Sequence, residues 1–346
     1  MGYAIKENGQ TISQIQEEYL SSANPWYIGF SGGKDSSTIL KLTFLALMNL
    51  RTPQKPVTVL YCDTGVDIPI FRHLVEKTLT SIDQEAKAYN IPIRTEIAMP
   101  ITQDRFFAKV IGKGYPSPTN KFRWCTDRLR IKPINTILKR TNSVSSNVVL
   151  LGIRKGESLE RDKTIARYET GKDYYFRQSN SANTMIFAPI INYSTEDVWA
   201  TIAYNPIPNS IDAIELMALY RHSGSECPII KDPKGSPCGK GRFGCWTCTV
   251  VRKDKAVQSL VDEGYTQLGP LLSFRNWLMQ IRDNPVYREE KRRNGQKGPG
   301  PFTINARKEI FFKLLEAEHL SGYKLLSQEE VVYIEECWKE DENRKS

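Results

Sequence analysis

Trp26-Tyr27-Ile28-Gly29-Phe30, running directly into Ser31-Gly32-Gly33-Lys34-Asp35-Ser36-Ser37, is the stretch that decides the fold class. The first five residues read as a strand, and Ser36 to Leu50 carries the apolar periodicity of a helix. The glycine loop is therefore the turn of a strand-loop-helix unit. Such a turn brings several backbone N–H groups to a helix N-terminus, where hydroxyls and the helix dipole add attraction for an anion. Lys34 adds charge, and Asp35 either helps hold Mg²⁺ or fixes the loop. The spacing is neither that of the Walker loop nor the dinucleotide G-x-G-x-x-G. A plain glycine turn is the bland alternative.

Outward from this unit, short apolar runs alternate with amphipathic stretches, the pattern of βαβ units around a parallel sheet. Gln10 to Leu20 reads as an opening helix, Val57 to Tyr61 and Ile91 to Ala98 as strands, and Ile70 to Asn90 as the helix between them. Ile101 to Pro118 accumulates Gly and Pro and reads as a mobile loop over the site. A helix follows at Leu129 to Arg140, then strands at Val148 to Ile153 and Met185 to Ile190. Ser194-Thr195-Glu196-Asp197 matches a helix-start capping box. Beyond residue 222 the composition changes: Gly, Pro and Cys dominate to Cys248, and helical periodicity returns after it. The expected organisation is an α/β domain over residues 1–222 and a smaller, mainly helical cysteine-bearing region over 223–346.

The chain has 346 residues, 40% hydrophobic and 25% charged, which suits a globular protein with a sizeable core. Its net charge of +9 favours polyanionic partners such as nucleotides or nucleic acid. Met1 to Gln10 lacks the apolar run of a signal peptide, and the apolar stretch Ile39 to Leu50 is short and carries Lys41. No membrane association is expected. The cysteine count of seven is odd, so reduced thiols in the cytoplasm are expected rather than a disulfide framework. His73, His222 and His319 are scattered without ligand spacing.

Two cysteine settings carry chemistry. In Lys121-Phe122-Arg123-Trp124-Cys125-Thr126-Asp127-Arg128-Leu129-Arg130-Ile131-Lys132, five cations surround Cys125. Neighbouring cations lower a thiol's pKa and make it nucleophilic, and the same cations bind phosphate. Cys125 is either such a sulfur handler or a half-buried structural cysteine. Cys62 and Cys337 carry no such signal. The second setting is Cys227, Cys238, Cys245 and Cys248, whose loops can wrap a tetrahedral thiolate site. Zinc and a redox Cys-x-x-Cys are alternatives to an iron–sulfur cluster there. Arg288 to Lys297 is a further basic run, with Arg292 and Arg293 joining Arg123, Arg128, Arg130 and Lys132 as candidate nucleic-acid contacts.

Phe30 to Ser36 resembles the PP-loop of the ATP pyrophosphatase superfamily, an adenine nucleotide alpha hydrolase-like α/β fold. Leu151-Gly152-Ile153-Arg154-Lys155-Gly156-Glu157-Ser158 with Arg161 is similar to the G-x-R-x-x-E-S-x-x-R region of its phosphoadenylyl-sulfate reductase branch. Gly241 to Val251 resembles the R-F-G-C-W-x-C-T-V-V signature of the sulfurtransferases of bacterial Dnd-type DNA phosphorothioation. The resemblance implies ATP binding by Ser31, Gly32, Gly33, Lys34, Asp35, Ser36, Ser37, Asp63, Gly152, Arg154, Glu157 and Arg161, although Asp63 also suits a turn and Arg154, Glu157 and Arg161 a solvated charge cluster. It implies Lys34, Asp35 and Cys125 as catalytic residues, ATP and Mg²⁺ as cofactors, and a [4Fe–4S] cluster on the four late cysteines. The implied partners are DNA, a cysteine desulfurase as sulfur donor and other phosphorothioation proteins. The rivals are a sulfate-assimilation enzyme of the sulfurylase or sulfonucleotide reductase type, a tRNA-thiolating enzyme, and a non-enzymatic metal-stabilised nucleic-acid-binding module.

Overall fold

A computed structural model describes residues 2–53, 55–141, 146–157, 159–168, 174–177, 184–223 and 243–343. Among these residues, six strands form one sheet in the order β3-β2-β1-β4-β6-β5. They are β1 (Trp26–Phe30), β2 (Val57–Cys62), β3 (Ile93–Ala98), β4 (Asn147–Leu150), β5 (Tyr175–Arg177) and β6 (Thr184–Phe187). Every pair is parallel except the β5–β6 edge. The antiparallel edge strand has no sequence-level expectation behind it.

β1 is central, with Trp26 opposite Val57 on one side and Val148 on the other. Being covered on both faces, it is apolar at almost every position. Trp26, Ile28 and Phe30 face the main core with Val57 and Val59 of β2, whereas Tyr27 and Leu60 face a smaller cluster with Ile137 and Leu138. Helices α1 (Gly2–Leu20), α2 (Lys34–Met48) and α3 (Pro69–Ala88) contribute Ile15, Ile39 and Leu79 to the main core. On the other face, α4 (Trp124–Thr126), a π-helical stretch (Asp127–Ile131) and α5 (Lys132–Thr141) run as one continuous helix.

The sheet order sets the place of the site. From β1 the chain moves one way to β2 and β3, then returns to lay β4 and β6 on the opposite side. Connections leaving the C-terminal ends of β1 and β4 therefore diverge, and such a switch point opens the crevice in which α/β sheets bind ligands. The glycine loop follows β1, and Gly152 follows β4.

The remaining helices are α6 (Leu159–Tyr168), α7 (Thr195–Tyr204), α8 (Ala213–His222), α9 (Lys255–Asp262), α10 (Gly269–Arg282), α11 (Ile304–Ser321) and α12 (Gln328–Asn343). The anticipated capping box starts α7, with Ser194 Oγ accepting from Asp197 N–H and the Asp197 side chain accepting in return. Core residues on both sides of residue 222, from Ile15 to Ile334, form one continuous cluster.

Residues 101–118 depart from the sequence expectation. Instead of a loop over the site, they contain a π-helical stretch (Ala108–Gly112), and Phe106, Phe107, Val110 and Ile111 are buried. Trp338 Nε1 donates to Ile111 O at 2.9 Å and Arg307 Nη1 to Gly112 O, so the closing helices are fastened to this segment. The apolar run Phe106-Phe107-Ala108 outweighs the flanking Gly and Pro. Among the described residues, no helix is long and apolar enough to cross a membrane.

Candidate active site

The loop between β1 and α2 is shaped by contacts on both sides. Gly32 has φ +74°, and a Cβ there would overlap Val75 of α3. At Gly152 a Cβ would lie 2.7 Å from the Asp35 carbonyl carbon, so only glycine lets the end of β4 approach the start of α2. The Ser36 hydroxyl ties the loop together: it donates to Gly33 O at 2.9 Å, accepts Ser31 N–H at 3.2 Å, and lies 3.1 Å from Ser31 Oγ. Ser37 and Lys34 are buried beside it.

Two residues beyond Gly152, Arg154 reaches back into this loop. Its Nε donates to Asp35 Oδ1 at 2.6 Å, while Lys34 Nζ holds Asp35 Oδ2 at 3.1 Å. Arg154 also donates to Tyr193 O and Thr195 Oγ1, and is almost fully buried. With both oxygens engaged by cations, Asp35 here fixes the loop, the second of the two roles its sequence position suggested. Mg²⁺ ligation by Asp35 Oδ2 requires Lys34 to let go. Glu157 follows on the turn that Gly156 makes with φ +82°. Arg161 lies on α6, with its side chain outside the described residues.

Tyr220 of α8 was not legible as a site residue. Its hydroxyl accepts the backbone N–H of Lys34 at 3.0 Å, one of the donors that a phosphate would claim. The ring stands edge-on to both Trp199 and Phe243, and Phe243 stacks on Phe71 of α3. Tyr220 thereby packs against the loop at Gly33 and Lys34, held in turn by these rings.

Asp63, at the end of β2, is buried and already occupied. Its Oδ1 accepts Gly65 N–H at 2.8 Å and its Oδ2 pairs with Arg72 at 3.0 Å. Asp67 accepts from Thr64 N–H and from the Tyr61 hydroxyl; burial raises its pKa.

On this strand end the structure seats the late cysteines. Cys245 bridges Asp67, Trp246 N–H donates to Val66 O at 3.0 Å, and Cys245 Sγ lies 3.6 Å from Thr64 Oγ1. Cys248 N–H closes on Cys245 O at 3.0 Å, making Cys245-Trp246-Thr247-Cys248 a tight turn. Arg275 of α10 clamps it from behind, donating to the carbonyls of Cys248, Val251 and Arg252. Burial pushes the Cys245 thiol up to about 11, so a nearby cation, metal or guanidinium, is what would favour its thiolate. Two ligands of the expected cluster are thus on one preorganised knuckle, as tetrahedral thiolate ligation needs. Cys227 and Cys238 lie outside the described residues. Among the described residues no three His, Cys, Asp or Glu side chains form a metal-binding group.

Cys62, read from sequence as a strand residue without a role, donates to Leu129 O at 3.2 Å and interacts electrostatically with Cys245. Cys125 lies in the first turn of the continuous helix, in α4, half-buried, and interacts with Cys248. Cys62 thus lies near Cys245 and Cys125 near Cys248, with the knuckle anchored just past the C-terminal end of β2.

The expected activation of Cys125 is not met. Burial raises its pKa and Cys248 raises it further, and the opposing pull of the Thr126 hydrogen bonds and of Arg123 does not overcome them. Three other cations of the segment, Arg128, Arg130 and Lys132, point elsewhere. Lys132 and Arg128 pair with the buried Asp104 at 2.5 and 3.5 Å, with Lys109 alongside at 3.0 Å. Arg130 turns to Asp67 at 3.8 Å and to Cys245 Sγ at 4.0 Å. Of the six candidate nucleic-acid contacts, Arg128, Arg130 and Lys132 thus have carboxylate partners inside the protein. Arg123, Arg292 and Arg293 are exposed.

Residues 25–251 match the phosphoadenosine phosphosulfate reductase domain, and the chain belongs to that family. Two uncharacterized proteins of Methanocaldococcus jannaschii are 29% identical over 199 residues and 25% identical over 214 residues. These stretches cover 57% and 59% of this chain but only 35% and 44% of those relatives, so the chain spans less than half of their length. Among solved structures, the chain is similar to phosphoadenylyl-sulfate reductase from Candida auris, in a phosphate complex (16% identity, TM-score 0.37, covering 64% of this chain and 89% of that one). It is also similar to Candida glabrata FMN adenylyltransferase with FAD and pyrophosphate (11% identity, TM-score 0.39, 89% and 81%).

Proposed function

We propose that the chain is an ATP-dependent sulfurtransferase that activates a DNA backbone phosphate for sulfur insertion. ATP is cleaved between its α and β phosphates; the phosphate oxygen takes the AMP group and pyrophosphate leaves, the outer sulfur of a Cys125 persulfide displaces AMP, and a second thiol then attacks the Cys125 sulfur, forming a disulfide and releasing the phosphorothioate. The observation that carries this reading is the joining of two sites at one sheet edge. The PP-loop, backed by Asp35 and Arg154, stands at the switch point, and the cysteine knuckle is seated on the end of the adjacent strand β2.

In this reading the backbone donors of Ser31 to Lys34 hold the departing pyrophosphate, and Lys34 neutralises its charge once released from Asp35. Asp35 and Arg154 keep the loop in shape. Cys125 takes the outer sulfur of the desulfurase persulfide, forming its own S–S bond as the desulfurase cysteine leaves as a thiol; burial keeps Cys125 protonated until a cation approaches. Cys245 and Cys248, with Cys227 and Cys238, are the residues that would hold a [4Fe–4S] cluster. Such a cluster would supply Lewis-acidic iron or one-electron chemistry at this corner.

Incubation of the protein with DNA, ATP, cysteine and a cysteine desulfurase, followed by nuclease digestion and mass spectrometry, tests the reading. Phosphorothioate dinucleotides are expected. Pyrophosphate release with DNA but no sulfur in the digest, under anaerobic conditions, would contradict sulfur insertion. A second reading, reduction of a sulfonucleotide, is favoured by the family match over residues 25–251. It predicts sulfite from phosphoadenylyl sulfate and no requirement for ATP cleavage.

A further inference from the structure

The segment just before Cys125 meets an excursion of the chain between α10 and α11 that the reaction above does not use. Residues 288–302 fold back on themselves through bridges Arg288–Phe302 and Lys291–Lys297. Phe302 N–H donates to Gly114 O at 2.7 Å, and Arg293 donates to Lys113 O while its guanidinium lies 5.3 Å from the Tyr115 ring. The excursion is therefore pinned on residues 113–115. Tyr115 in turn stacks on Phe122 at 6.4 Å and meets Trp124 edge-on at 5.5 Å.

Phe122 is 45% exposed, unusual for a phenylalanine held so firmly: its N–H donates to Thr119 O and Thr119 Oγ1, fixing the turn that presents it. Lys121 and Arg123 flank it, and Lys291, Arg292 and Lys297 stand on the pinned excursion. Among the described residues none of these five cations has a carboxylate partner. This contrasts with Arg128 and Lys132 a helical turn away, which Asp104 neutralises. Unneutralised cations beside a presented aromatic ring, and on the excursion pinned against its stacking partner Tyr115, are the composition that binds nucleic-acid backbone while stacking a base. A duplex keeps its bases stacked on one another, so an aromatic platform of this kind favours a strand whose bases are unpaired.

We infer that Phe122, with the basic excursion 288–302, forms a docking surface for a single-stranded stretch of DNA, stacking one unpaired base beside Cys125. The inference rests on the DNA reading above and gives it a location and a strand state. Binding of fluorescein-labelled oligodeoxynucleotides by the full chain, read by anisotropy, tests it. The single strand should bind more tightly than the duplex of the same sequence. Phe122→Ala should weaken single-strand binding about tenfold, and Phe122→Trp should restore it. Replacing Lys291, Arg292 and Lys297 together by Ala should flatten the log–log salt dependence by about 2. All three positions and Phe122 are exposed, and unchanged melting temperatures check that the variants fold.

An unaltered Phe122→Ala affinity, a preference for duplex, or tighter binding of the matching RNA would each overturn the inference. If the parent protein binds DNA while these variants behave as the parent does, only this surface fails. If the parent protein binds no DNA in any form, the substrate reading fails with it.

Discussion

The Tyr220 hydroxyl and the Lys34 backbone N–H are hydrogen-bonded at 3.0 Å across 186 residues of sequence. The contact brings α8 onto the first turn of α2 and engages a donor of the anion-binding loop before any nucleotide arrives. Tyr220→Phe should therefore lower the stability of the free protein by about 1 kcal/mol, the usual net worth of such a bond. It should also tighten ATP several-fold, because phosphate no longer competes for that donor. Thermal melting and calorimetric titration check both, and weaker ATP binding would mean that the phenol contacts the nucleotide itself.

The Asp35–Arg154 pair is the second hinge of the account, because it joins the PP-loop to the strand on the other side of the switch point. Removing one partner of a buried pair leaves an uncompensated charge, so Arg154→Ala should destabilise by about 3–5 kcal/mol. Lys cannot reproduce the directed Nε donation, and Arg154→Lys should recover only part of that loss. Combining Arg154→Ala with Asp35→Asn should restore about 1–3 kcal/mol through their coupling, without restoring pyrophosphate release. Additive losses in denaturant titrations would show that the pair is not an energetic unit.

Asp104 explains why several basic residues near Cys125 are structural. Burial opposes its ionisation, but hydrogen bonds from Lys132 and Lys109 outweigh it and hold the carboxyl below its ordinary value of 3.8. A depressed carboxyl stabilises fully above that ordinary value, and the contribution is lost as pH falls through the lower folded value. Asp104→Asn should cost about 1–3 kcal/mol at neutral pH, given that Lys132 and Arg128 are partly exposed. The deficit should shrink below about pH 4. Urea titrations at pH 7 and pH 3.5 make the comparison, and an equal deficit at both would contradict it.

Lys41 lies fully buried on α2, donating to Pro208 O at 3.2 Å, and burial lowers its pKa from 10.5 to about 8. The unfolded chain holds this proton more tightly than the folded one between those values. Stability should therefore rise with pH from about 8 toward 10.5, since the cost of burying the cation disappears as it deprotonates. Lys41→Met should be less steep over that interval. The same slope in both proteins, measured by denaturant unfolding, would place the proton elsewhere.

The central architecture was legible because its signals are local. An apolar strand followed by two glycines and a helix admits few readings, and Gly152 with Arg154 repeats that economy on β4. What was missed depends on distant partners. Nothing around Tyr220 marks it, since its role comes from α8 packing on α2. The density of cations around Cys125 suggested a lowered thiol pKa, but Asp104 and Asp67 lie more than twenty residues away and draw Lys132, Arg128 and Arg130 off. Phe106-Phe107 shows the converse: Gly and Pro nearby suggested an open loop, and two buried rings decided otherwise.

Cleavage of ATP labelled at the α phosphate, followed in the presence and absence of DNA, tests the account most directly. The account predicts label in AMP, one pyrophosphate per AMP, stimulation by DNA, and loss of both products in Asp35→Asn and Ser31→Ala. Label appearing in ADP with release of orthophosphate, or AMP formation that persists in both variants, would contradict it.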